Sequence, residues 1–155
     1  MKKEIAVLLH NVRSTHNVGS IFRTADAAGV SRIFLSGYTP TPLDRFGRPQ
    51  KDIAKTALGA EGYIPWEHSA SPVRLISKLK KEGWDIVGVE QDARAHDYRS
   101  FKTKGKTVLV FGNEVAGLSK EVREKCDSLI EIPMRGRKES LNVSVTAGII
   151  LFSIR

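Results

Sequence analysis

The sequence predicts an α/β domain with a mostly parallel sheet flanked by helices, and two observations carry that expectation. Apolar runs rich in β-branched residues recur at Ile5–Leu9, Arg32–Ser36, Trp84–Glu90, Thr107–Phe111 and Ser128–Ile132. They are nearly continuous rather than alternating, as in strands buried on both faces. Between them lie stretches of helical period: Val18–Ala28 sets Val18, Ile21, Phe22 and Ala25 on one face, and Val73–Lys81 sets Val73, Ile76 and Leu79 on one face. A chain of 155 residues with 41% hydrophobic and 27% charged content is the size of one core, so residues 1–155 are expected to form a single domain.

The first apolar run is too short for a signal-peptide core or a membrane span and reads as the first strand. The segment from Gly37 to Gln50 holds Pro40, Pro42 and Pro49. It reads as a long irregular loop, and such loops in compact domains tend to be functional. The segment Asn142–Ile154 is nearly all apolar or small and is expected to form a last helix buried all round. Ser144, Ala147 and Gly148 on it would let another backbone approach closely. Cys126 is the single cysteine, which excludes an intramolecular disulfide, and no Cys or His pair has zinc-ligand spacing. A cytoplasmic protein without membrane or metal is expected.

The formal net charge of +8 points to a polyanionic partner. Basic residues cluster at Arg45/Arg48/Lys51/Lys55, Lys78/Lys80/Lys81, Lys102/Lys104/Lys106 and Arg135/Arg137/Lys138. Any one cluster could equally be a solvated face; the total excess says more.

Three polar segments sit at strand ends. In the first, 11–25, Asn17 would cap a helix and Arg23 would lie almost two turns in, within reach of a phosphate or a hydroxyl; the plainer alternative is a cap and a solvated arginine. In the second, 108–119, Gly112 to Ser119 nearly matches the phosphate-cradling GxxxxGK[ST]. Leu118 takes the lysine position, however, and Glu114 would repel a triphosphate, so nucleotide hydrolysis is disfavoured. In the third, 130–142, a buried strand breaks at Pro133 into a basic loop, and Ser140 or Asn142 can cap the following helix. A capped turn with a solvated loop would explain that segment by itself, but three such loops in one small domain suggest a shared site.

In this order, the three segments resemble the three motifs of the SpoU (TrmH-like) branch of the SPOUT RNA methyltransferases, over nearly the whole chain. The residues that match are Asn17 with Arg23, the turn Phe111-Gly112-Asn113-Glu114 with Gly117-Leu118, and Ile132-Pro133-Met134 followed by Ser140-Leu141-Asn142. The resemblance implies a C-terminal trefoil knot, which periodicity does not predict and which connection rules would have excluded. It implies S-adenosyl-L-methionine as cofactor, contacted by Val89, Gly112, Ile132, Ser140 and Leu141, and methylation of a ribose 2′-hydroxyl in tRNA or rRNA.

Arg23, Asn17, Glu114, Ser140 and Asn142 would form the catalytic group. Arg45, Arg48, Arg135, Arg137 and Lys138 would meet the RNA, since no added recognition domain is expected. The resemblance also implies a homodimer, for which the apolar last helix gives a physical reason. Two other readings stand beside it: a non-catalytic RNA-binding module, and a nucleotide-dependent enzyme using the Gly112–Ser119 loop.

Overall fold

A computed structural model describes residues 2–154. In chain order the strands are β1 (Glu4–His10), β2 (Arg32–Ser36), β3 (Trp66–Ser69), β4 (Asp85–Val89), β5 (His96–Asp97), β6 (Lys106–Phe111) and β7 (Ser128–Glu131). The helices are α1 (Thr15–Ala27), α2 (Lys51–Ala57), α3 (Pro72–Lys81), α4 (Lys120–Lys125) and α5 (Val143–Ser153). The seven strands lie in the order β3-β2-β1-β6-β4-β7-β5, and every neighbouring pair is parallel.

The continuous apolar runs have a simple cause, because the central strands bury alternate residues in two different cores. On β1, Val7 and Leu9 enter the core that includes Val18, Ile21 and Phe22 of α1 and Ala147, Ile150 and Leu151 of α5. Ala6 and Leu8 enter the opposite core, with Leu75, Ile76 and Leu79 of α3 and Val122 of α4. On β6, Leu109 and Phe111 face the first core and Val108 and Val110 the second. Beyond their first residues neither face of these strands sees water, so no polar alternation is needed.

The order of strands carries a topological consequence. β7 lies between β4 and β5, although β4 and β5 are consecutive in the chain. The last strand therefore enters the space enclosed by the connection 90–105 that leads from β4 to β6, and the chain then returns to pack α5 on α1. This is the route of the expected C-terminal trefoil knot. It brings the strand end at 132–142 beside the strand end at 112–118, a juxtaposition that an unknotted sheet of the same strands would not require.

Several sequence expectations are corrected. Ser14, not Asn17, caps α1: its side chain accepts from the Asn17 N–H at 3.1 Å, and Asn17 sits buried in the first turn. The Pro-rich loop does end at Gln50, where Lys51–Ala57 becomes helical. The last helix is not buried all round: Val143, Ala147, Ile150 and Leu151 are buried, while Val145 and Phe152 are each 50% exposed. Asn142, one of the two candidate caps, does cap that helix, its Oδ1 accepting from the Ser144 N–H at 2.8 Å. Among the described residues no helix is long and apolar enough to cross a membrane.

Candidate functional site

Because all seven strands run the same way, the loops that follow them gather at one edge of the sheet, where open α/β sheets bind ligands. A cleft opens there between the ends of β4, β6 and β7 and the start of α5. Val89, Gly112, Ile132, Ser140 and Leu141, the five residues that the sequence marked for the cofactor, all line it. A larger concavity of about 600 Å³ lies near the starts of β4 and β7, lined by Asp85, Phe101, Lys104 and Asp127 among others, and contains none of the marked residues.

The loop 112–118 forms one wall of the cleft. Asn113 and Gly117 close it with paired backbone bonds, Asn113 N–H to Gly117 O at 3.2 Å and Gly117 N–H to Asn113 O at 2.9 Å. The Asn113 side chain uses both ends of its amide. Its Oδ1 accepts from the Val115 and Ala116 N–H groups at 2.9 and 2.8 Å, while its Nδ2 donates to Asn11 O and to Tyr38 Oη, each at 3.0 Å. Gly112 is so close to the far side of the loop that a Cβ would stand 2.6 Å from the Gly117 carbonyl carbon and 2.7 Å from the Leu118 nitrogen. Gly117 adopts φ +67°, a conformation glycine takes readily.

Glu114 joins the first marked segment to the second. Its Oε1 accepts from the Arg13 N–H at 3.0 Å, and its Oε2 accepts from the Ser14 N–H at 2.9 Å and from Asn17 Nδ2 at 3.4 Å. A carboxylate here satisfies N–H groups at the start of α1, where negative charge is favoured. Burial alone would raise its pKa, but the donors from Arg13, Ser14, its own backbone and Asn17 together outweigh that effect and hold the group below its usual value of 4.5.

The sign of the pH dependence follows. A depressed folded-state pKa gives stabilisation that is fully present above about pH 4.5 and is lost as pH falls through the lower folded value. Glu114→Gln should therefore melt below wild type near neutral pH, and the gap should close in acid. A gap that is unchanged from pH 6 to pH 3 would remove the charged role assigned to this carboxylate.

The other marked residues divide. Ser140 lines the cleft, and Asn142 follows the cleft residue Leu141, its Oδ1 committed to Ser144. Arg23 is exposed on α1 and does not line the cleft, and its guanidinium makes no hydrogen bond or ion pair among the described residues. Arg135, Arg137 and Lys138 are exposed on the loop between the cleft residues Met134 and Ser140. Arg45 and Arg48 stand on a separate loop, each guanidinium packed against Phe46.

Sequence reasoning missed Glu90. Its Oε2 accepts from the Leu118 N–H at 2.6 Å and its Oε1 from the Gln91 N–H at 3.1 Å, so it buttresses the 112–118 loop from β4. The signal available was its place directly after Val89 at the strand end. With Glu114 and Glu131 it makes three carboxylates around one cleft in a protein of net charge +8. Such a cleft attracts a ligand carrying positive charge and repels a polyphosphate. No group of side chains that could hold a metal ion occurs among the described residues.

The knotted parallel sheet and a cleft built by three strand-end loops define a SPOUT-type α/β domain. The SpoU rRNA Methylase family model matches residues 4–152, and the chain belongs to that family. It is 37% identical over 150 residues to the 23S rRNA (guanosine-2'-O-)-methyltransferase RlmB of Pseudomonas aeruginosa, covering 97% of this chain and 58% of that one. Its fold superposes with TM-score 0.88 on an AdoMet-bound rRNA methyltransferase from Sinorhizobium meliloti, at 34% identity, covering 99% of this chain and 56% of that one. It superposes with TM-score 0.84 on the A. aeolicus TrmH/SpoU tRNA modifying enzyme, at 32% identity, covering 98% of this chain and 74% of that one. The chain spans little more than half the length of the curated relatives it matches, 57% for the first of them.

Proposed function

We propose that this protein uses S-adenosyl-L-methionine to methylate a ribose 2′-hydroxyl in tRNA or rRNA. The observation that carries this reading is the convergence of all five cofactor candidates on one cleft with three carboxylates. The cleft fits the group. Gly112 leaves no room for a side chain against the 112–118 backbone, so the loop closes tightly and its main chain forms part of the cleft wall, and Val89, Ile132 and Leu141 offer apolar contact. When bound, adenosylmethionine supplies an electrophilic methyl group on a cationic sulfonium.

The chain's own residues do the remaining work. Glu90 and Glu114 fix the cofactor loop and, with Glu131, set a negative potential suited to the sulfonium and an ammonium. Ser140 presents an exposed hydroxyl in the wall of the cleft, and Asn142 Nδ2, with no partner among the described residues, is free to donate toward the ribose. Arg23 serves as the cation that holds the phosphate next to the target and polarises its 2′-hydroxyl. A guanidinium, which stays protonated in proteins, is a poor base. Calorimetry tests the reading: adenosylmethionine and adenosylhomocysteine should bind the protein alone, and ATP should bind weakly or not at all. Tight ATP binding without adenosylmethionine binding would favour the nucleotide-dependent alternative.

Arg135, Arg137 and Lys138 stand next to the cleft and supply phosphate contacts. RNA affinity should fall steeply with salt, because each neutralised phosphate releases counterions. Replacing all three residues by glutamine should reduce the slope of log K against log[salt] by up to about 3. An unchanged slope would move the RNA surface elsewhere.

The protein acts as a homodimer through α5 in this reading, supported by the half-exposed Val145 and Phe152 and by Gly148, whose Cβ would meet only Thr24 among the described residues, at 3.7 Å. Sedimentation should show a dimer at micromolar concentration, and Gly148→Glu should disrupt it. A monomeric wild-type protein would remove this part of the account.

A further inference from the structure

The loop 37–50 ends in a built turn that holds a large aromatic side chain out to solvent. The Asp44 carboxylate organises it, with Oδ1 accepting from the Phe46 N–H at 2.8 Å and the Arg48 N–H at 2.9 Å, and Oδ2 accepting from Arg48 Nε at 3.0 Å. Asp44 N–H donates to Arg48 O at 2.8 Å, and Leu43 pairs with Pro49 in an antiparallel bridge. Phe46 at the tip is nevertheless 66% exposed. The guanidinium carbons of Arg45 and Arg48 lie 4.8 and 4.9 Å from its ring centroid.

This arrangement does nothing for the core, yet its parts are ordered. An aromatic ring beside planar guanidinium groups is the surface on which unpaired nucleobases stack, because every base has a π-face and its flanking phosphates need cations. The two arginines are not equivalent. Arg48 is tied to Asp44, whereas Arg45 has no ion pair among the described residues and can leave the ring for a phosphate when a base arrives. The loop is also tied to the candidate site at its base. Its root is fastened to the cofactor loop through Tyr38, whose N–H donates to Asn11 Oδ1 at 3.0 Å and whose Oη accepts from Asn113 Nδ2 at 3.0 Å.

We propose that Phe46, framed by Arg45 and Arg48, is a stacking platform for an unpaired nucleobase of the RNA substrate near the methylated nucleotide. The proposal rests on the RNA-methyltransferase reading and deepens it. A platform of this kind favours single strands and loops over duplex, whose bases are already stacked, whereas two arginines acting only on phosphates would bind both forms.

The test measures binding of a short unstructured oligoribonucleotide and of an RNA duplex of equal length to wild type, Phe46→Ala, Phe46→Leu and Phe46→Trp. Phe46→Ala and Phe46→Leu should weaken single-strand binding by about 5- to 100-fold. Duplex affinity and the salt slope should be unchanged, because no charge is removed. Phe46→Trp should keep the affinity and add indole quenching on binding beyond any change from Trp66 and Trp84 in wild type. Unaltered melting curves confirm that the variants fold, as expected at an exposed position. Full single-strand affinity in Phe46→Ala or Phe46→Leu, or equal losses on duplex, would overturn the platform while leaving methyl transfer as a separate readout of the underlying reading. A wild-type protein that binds neither RNA overturns both.

Discussion

Gly112→Ala should weaken adenosylmethionine binding by about 10- to 100-fold, the effect of forcing atoms into a packed site at a cost of about 1–3 kcal/mol. The added methyl would stand 2.6–2.7 Å from the carbonyl carbon and oxygen of Gly117 and from the Leu118 nitrogen. These are backbone atoms of a closed loop, so they cannot rotate away as the end of a flexible side chain would. Moving them also disturbs the Leu118 N–H bond to Glu90 and, through Asn113, the bonds to Asn11 and Tyr38. Gly136→Ala is the matched control, because its Cβ would meet nothing within 4 Å among the described residues. Calorimetry should separate the two variants clearly. Equal cofactor affinity in Gly112→Ala and wild type would mean that the 112–118 backbone is not the cradle.

Arg23→Ala should lower the methyl-transfer rate by about 100- to 1,000-fold, the range seen when one preorganised charge-stabilising donor is removed, and should leave cofactor affinity unchanged. The two functions separate because Arg23 lies on α1, outside the cleft. Its helix is positioned through Ser14, Asn17 and Glu114 and not through its own guanidinium, which has no bond to lose among the described residues. The loss should appear in kcat more than in cofactor binding. Full activity in Arg23→Ala would end the role assigned to this residue while leaving ribose methylation standing.

Much of this architecture was legible because its cause is local. Five strands show as continuous apolar runs, since β1, β4 and β6 in the middle of the sheet place successive residues in two cores. β3 and β5 were not legible: β3 is a four-residue edge strand that includes Glu67 and His68, and β5 has only two residues. Neither has an apolar signature, and each is held by backbone pairing to a neighbour already in place.

The cap of α1 was misplaced by three residues because Ser14 and Asn17 are both good caps. What decided between them was Glu114, about a hundred positions away, which fixes the Ser14 N–H. The exposure of α5 was not legible either. An apolar helix reads as core from sequence alone, and only the packing on α1 shows that Val145 and Phe152 face outward.

The candidate site was legible in a different way. Val89, Gly112, Ile132, Ser140 and Leu141 were marked by resemblance, and no spacing rule links them. They meet because β7 threads between β4 and β5. Glu90 was overlooked because a lone glutamate at a strand end reads as solvated, and its role appears only when the Leu118 N–H is seen to need an acceptor. Glu114 was marked for catalysis, and its contacts make it first a positioning group that ties the α1 start to the 112–118 loop.

The most direct test of the central claim is mass mapping of an RNA substrate after incubation with the protein and adenosylmethionine, with a matched substrate carrying 2′-deoxyribose at the modified nucleotide. One added methyl group should appear on the ribose of the normal substrate. None should appear on the deoxy substrate, which should still bind. Normal methylation of the deoxy substrate would place the acceptor on a base and rule out ribose methylation.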